Sequence, residues 1–132
     1  MSEIKTKTIS GSAKIAQLLD GMNQEGGFPI SILADRHGFL IASAADANQD
    51  PDRQSAVVAL VQKTAVQAGD QLGLGQTDEV SLYDAEGQKL VCRPFVANEY
   101  EMILAVLVPT RRQSYRLLTN NAIKSIQSMW KL

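Results

Sequence analysis

Pro29-Ile30-Ser31-Ile32-Leu33-Ala34-Asp35-Arg36-His37-Gly38-Phe39-Leu40-Ile41-Ala42-Ser43 is the stretch on which the fold turns. Two short apolar runs flank a four-residue turn, Asp35-Arg36-His37-Gly38, whose last position suits the positive φ that hairpin turns commonly need. In the first run Ile30, Ile32 and Ala34 fall on one face and Ser31 and Leu33 on the other, so both faces are partly apolar. A hairpin of this kind needs cover on both sides.

The flanking sequence supplies that cover. Upstream, Ile15, Leu18, Leu19 and Met22 recur at three- and four-residue steps, which marks an amphipathic helix starting near Ser10 and ending at Gly26-Gly27. Residues 1–9 lack periodicity and read as a flexible tail, leaving 10–132 as a single domain. Downstream, Asp50-Pro51 is a good helix entry, a capping carboxylate followed by a residue with no N–H to satisfy. The helix it opens runs from about Pro51 to Leu72.

Val57, Leu60, Val61, Thr64, Ala68 and Leu72 make one stripe on this helix, and Ala56, Ala59 and Ala65 widen it with short side chains. The arc is too wide for one contact. It leaves two readings, a helix buried inside a monomer or one that packs on its own sheet and also admits the helix of a second copy.

The C-terminal half reads as a meander. Glu79–Asp84, Gln88–Val96 and Tyr100–Val108 are strands joined by turns at Ala85-Glu86-Gly87 and Ala97-Asn98-Glu99, so neighbours are antiparallel. Met102 to Val108 is apolar without alternation, as in a central strand covered on both faces. Pro94 removes a ladder donor, so a bulge or break is expected there. Thr110-Arg111-Arg112-Gln113 matches a capping box, which predicts a last helix from Arg111 to about Trp130, with Tyr115, Leu118, Ala122 and Ile126 on its apolar face.

Composition bounds the functional classes. At 132 residues, 45% hydrophobic and 20% charged, the chain fits one globular domain able to fold without disulfides or a structural metal. A net charge of -1 gives no basic footprint for nucleic acid, and no apolar run is long enough for membrane insertion. The one cysteine, Cys92, and a start reading Met1-Ser2-Glu3-Ile4-Lys5 without a signal pattern point to a cytoplasmic protein.

The sequence offers no catalytic constellation. The single histidine, His37, sits in a turn, so neither a histidine triad nor a multi-histidine metal site can be assembled. Cys92 lies in a strand and reads as a small core thiol. Gly69, Gly73 and Gly75 follow a helix and lack a Gly-Lys-Ser/Thr, so they end a helix and do not form a phosphate loop. Arg111 and Arg112, with Arg36 in the hairpin turn, are candidate contacts for an acidic partner surface. No enzymatic activity, cofactor or small-molecule substrate is expected.

The order helix, two strands, helix, three strands, helix resembles a Roadblock-type domain, the group that includes the Roadblock light chain of dynein, the Ragulator scaffold subunits and bacterial partners of Ras-like GTPases. The resemblance covers about residues 11–130. It rests on Ile32 to Ser43 with its Asp-x-x-Gly turn, on the Ala-rich helix, and on the hairpin Asp84-Ala85-Glu86-Gly87-Gln88-Lys89-Leu90-Val91-Cys92-Arg93-Pro94-Phe95. It implies an α+β sandwich, α-β-β-α-β-β-β-α, with a five-stranded antiparallel sheet in the order 2-1-5-4-3. The first and third helices would lie on one face and the second on the other. It also implies a homodimer built on the second helix and the edge strand, through Val57, Leu60, Val61, Thr64, Ala65, Ala68, Val80 and Leu82. The expected role is a non-enzymatic homodimeric scaffold that binds and regulates a small Ras-like GTPase. The alternative is an assembly or adaptor subunit linking a motor, filament or cargo complex without nucleotide regulation. A small-molecule sensor fits less well, because only 5% of the residues are aromatic and the core is aliphatic.

Overall fold

The turn at Gly38 (φ 93°) folds the opening hairpin as its sequence requires. In the computed structural model, which describes the backbone of residues 2–130 and the side chains of residues 11–130, eight elements follow one another. They are α1 (Ser2–Gly26), β1 (Ile30–Asp35), β2 (Leu40–Ala45), α2 (Pro51–Leu72), β3 (Val80–Tyr83), β4 (Lys89–Ala97), β5 (Tyr100–Val108) and α3 (Arg116–Met129). The expected tail over 1–9 falls on residues whose side chains lie outside those described; the helical backbone of α1 runs from Ser2.

The strands form one antiparallel sheet in the order β2-β1-β5-β4-β3. Strand alternation sorts the core into two layers. Leu33, Val91, Leu104 and Val106 meet Ile15, Leu19 and Met22 of α1 and Ala122 and Ile126 of α3 on one face. Ile30, Ile32, Cys92, Ile103 and Ala105 meet Val58 of α2 on the other. β5 contributes to both layers, as its unbroken apolar run predicts, and each large aliphatic side chain it buries is worth roughly 1.5–3 kcal/mol.

At the entry to α2, Asp50 Oδ1 accepts from Arg53 N (3.2 Å) and Pro51 occupies the first turn. Two other expectations fail. β4 and β5 stay in register through Pro94, which pairs with Ile103, and the irregularity lies instead between Leu33 and Ala34, where β1 meets β2. β3 reaches only as far as Cys92 along β4, so the missing N–H of Pro94 faces an unpaired edge and no ladder bond is lost.

Nor does the capping box form. α3 begins at Arg116, five residues later than expected, with Tyr115 as a cap that makes no side-chain bond to the helix. Gln113 is drawn elsewhere, its Nε2 donating to the carbonyls of Gly26 and, at 3.0 Å, Gly27. It therefore ties the segment after β5 to the end of α1, whose last carbonyls would otherwise go unpaired.

Candidate self-association surface

α2 places its apolar residues on two sides. Ser55 and Val58 are buried against the sheet, the Ser55 hydroxyl donating to Asp52 O (2.9 Å). At 100° per residue, Val57, Leu60, Thr64 and Ala68 lie on the side turned away from the sheet. All four are exposed, Leu60 by 65%. Thr64 returns its hydroxyl to Leu60 O (2.9 Å), so its polar atom is already partnered. Val61 and Ala65, expected in the same row, are half-buried; Val61 packs with Val80 of β3 against the core layer beneath α2. The expected stripe is thus two rows, one for the sheet and one without a partner among the described residues.

β3 closes the sheet on this side and its outer edge is open. Leu82 shares the α2 face of the sheet with Val80 and is 51% exposed. Ser81 and Tyr83 stand on the other face, where a polar network joins β3 to α3. Glu79 accepts from Tyr115 Oη (2.6 Å), Ser81 Oγ (2.9 Å) and Arg116 Nη1 (2.8 Å). Arg116 also reaches Asp78 (3.1 Å). Burial opposes ionisation of Glu79, but these hydrogen bonds and the Arg116 charge outweigh it and hold the carboxyl below its ordinary value. The same contact, added to burial, pushes the Tyr115 hydroxyl up to about 12.

Two cations beneath this network were not foreseen. Arg93, only 6% exposed, donates to Thr119 Oγ1 (2.8 Å) and Asn120 Oδ1 (2.9 Å) and lies 3.9 Å from Asp78 and 4.0 Å from Glu79. Lys89, 5% exposed, puts its ammonium 4.4 Å from the Tyr115 ring centroid and 3.3 Å from Tyr83 Oη. The signal was in the alternation: Lys89 and Arg93 share the inward face of Val91, where a charge has to find a partner.

The three candidate arginines do not make one surface. Arg36 is in the turn after β1, near the start of β5, and pairs with Glu101 at 2.9 Å. Arg111 and Arg112 follow the far end of β5. Arg111 packs on Gly87 (φ 91°), where an added Cβ would come within 3.2 Å of it, and its guanidinium lies 5.8 Å from the Tyr83 ring centroid. Arg112 is exposed.

Other chemistry is sparse among the described residues. His37 is exposed, and no group of three or more His, Cys, Asp or Glu is placed to hold a metal. Burial, with the Glu79 charge nearby, pushes the Cys92 thiol up to about 12, which makes it a core side chain and not a nucleophile. No described helix is long and apolar enough to cross a membrane.

No protein-family model and no curated protein matches the sequence. Solved structures do. Myxococcus xanthus MglB aligns at 20% identity with a TM-score of 0.67, over 88% of this chain and 90% of its own. An MglB with a tetrameric arrangement aligns at 17% and 0.74, over 90% of this chain and 89% of its own. A Roadblock/LC7 domain from Streptomyces avermitilis aligns at 17% and 0.69, over 86% and 92%. The fold is that of these domains.

Proposed function

We propose, from the premise that this chain is a Roadblock-type domain in fold, that it acts as a non-enzymatic homodimeric scaffold which binds and regulates a small Ras-like GTPase. The observation that carries the reading is the unpartnered row Val57, Leu60, Thr64 and Ala68 on α2 beside the open β3 edge with Leu82. An apolar helix face next to an unpaired strand is covered on both counts by a second copy, which pairs the edge and buries the row. The MglB with a tetrameric arrangement supports self-association of this fold, and the resemblance to bacterial partners of Ras-like GTPases supplies the partner class.

Regulation on this reading works by positioning. Hydrolysis is accelerated when the attacking water and the developing charge are fixed by groups already on the GTPase, so no residue of this chain needs to enter the reaction. Binding of the purified chain to a Ras-like GTPase from the same organism, loaded with GDP or a non-hydrolysable GTP analogue, tests the proposal. Nucleotide-dependent binding with a changed rate of hydrolysis or exchange supports it. Failure to bind either form removes it and leaves the assembly-subunit role.

A further inference from the structure

At the edge of the sheet opposite β3, the end of α1 turns into β1 beside the end of β2. Gly27 (φ 72°) makes that turn, and Gly27 and Phe28 both give their N–H groups to Asn23 O (2.8 and 3.0 Å). Pro109, leaving β5, completes the wall of a cleft of about 420 Å³. That is the size of a small-molecule site and far larger than one bound ion.

The side-chain donors at this cleft are already directed into the protein. Gln24 Nε2 donates to Asp20 Oδ2 (2.8 Å), and Asn23 Nδ2 donates to Ala44 O (2.9 Å). The second bond fixes which end of the Asn23 amide is oxygen, and the end left on the cleft is Oδ1. Asn23 is only 8% exposed, yet Oδ1 has no partner among the described residues. A buried acceptor left open in this way is uncommon in a folded chain and calls for a donor.

The charges at the cleft are of one sign. Asp20 is on α1 and Asp46 just past β2, so the two carboxylates stand on different walls, and neither has an ion pair among the described residues. No basic residue lies in the last turn of α1 to answer the negative end of its dipole, and no Lys, Arg or His lines the cleft. Pro29, Ala45 and Pro109 add apolar surface between the polar groups.

We propose that this cleft is a binding site for a linear aliphatic diamine or polyamine. Its ammonium groups pair with Asp20 and Asp46, one N–H reaches Asn23 Oδ1, and its methylene stem lies on Pro29, Ala45 and Pro109. A single ammonium would answer one carboxylate and leave the other. A metal ion lacks its ligands, since no three acidic, histidine or cysteine side chains converge among the described residues. The site lies within one chain and is independent of the α2 and β3 surface.

Calorimetric titration of the full chain with spermidine tests the proposal, in about 0.15 M salt, where charges more than about 8 Å apart are screened. One saturable site per chain is expected. Butylamine and Nα-acetyl-lysine methylamide, with one ammonium each, should bind about tenfold or more weakly. Asp20→Asn and Asp46→Asn should each raise the dissociation constant about tenfold, and Asp70→Asn, the same charge change on the exposed side of α2, should leave it unchanged. The side-chain amide resonances of Asn23 should shift on saturation. No saturable binding, equal weakening by Asp70→Asn, or an unmoved Asn23 amide overturns the site. Tighter binding of the acetyl-lysine compound, or of calcium chloride, overturns the ligand class in favour of a protein side chain or a metal.

Discussion

The Tyr115 hydroxyl donates to Glu79 Oε2 across 2.6 Å, joining the residue before α3 to the residue before β3. One short bond thus links the last helix to the edge strand on which self-association is proposed. Arg93 lies under it, held by Thr119 and Asn120 of α3. The edge is positioned by polar groups on one face and by Val80 and Val61 on the other.

This link makes stability depend on pH at both extremes. The Glu79 carboxyl titrates below its ordinary 4.5 when folded, so its contribution is complete above that value and is lost as pH falls through the lower, folded pKa. Tyr115 is raised from 10 to about 12, so its contribution is complete below pH 10 and is lost as pH rises towards 12. Denaturant midpoints followed against pH should fall in both windows. Glu79→Gln should flatten the acid limb and Tyr115→Phe the alkaline one; unchanged limbs would mean that other groups carry the dependence.

The central strand should dominate global stability. Leu104 of β5 is fully buried between α1, α3 and the flanking strands, so Leu104→Ala should cost roughly 2–5 kcal/mol through lost transfer energy and the cavity left behind. Its amide should also be among the slowest to exchange, since opening a central strand approaches global unfolding. Hydrogen exchange and a denaturant titration check both.

On α2 the outward row can be altered without touching the core. Leu60→Glu should leave the circular dichroism of the fold unchanged while raising the dimer dissociation constant about a hundredfold or more, because a charge buried at an apolar contact finds no partner. Ala65→Glu, half-buried on the sheet side, should instead lower the unfolding midpoint. Sedimentation together with thermal melts separates the two effects.

The arginines should act in docking and not in turnover. Arg36→Ala, Arg111→Ala and Arg112→Ala should change the association rate with the GTPase and its salt dependence, with hydrolysis at saturating protein nearly unchanged. A donated arginine would show itself as a loss of about a thousandfold or more with binding preserved. Stopped-flow binding and single-turnover hydrolysis give the two readouts.

Periodicity made the opening hairpin, the helix α2 and the central β5 readable, because each is fixed by local chemistry: a turn glycine, an Asp-Pro entry, an unbroken apolar run. It could not say which way α2 faces. The sheet takes Ser55, whose hydroxyl is satisfied within its own helix, and leaves Leu60 outside, so polarity misleads at both positions. α3 starts later than its capping-box pattern predicts because Gln113, a good capping residue, has a competing partner 86 residues away at Gly27. Long-range competition of that kind leaves no local trace. Lys89 and Arg93 leave a trace in the sequence, as charges at inward-facing positions of β4.

Two copies of this chain forming the working unit is a statement about mass. Light scattering on the wild-type protein at tens of micromolar should give a mass of two chains, falling towards one for Leu60→Glu; a wild-type mass of one chain under the same conditions would rule the dimer out.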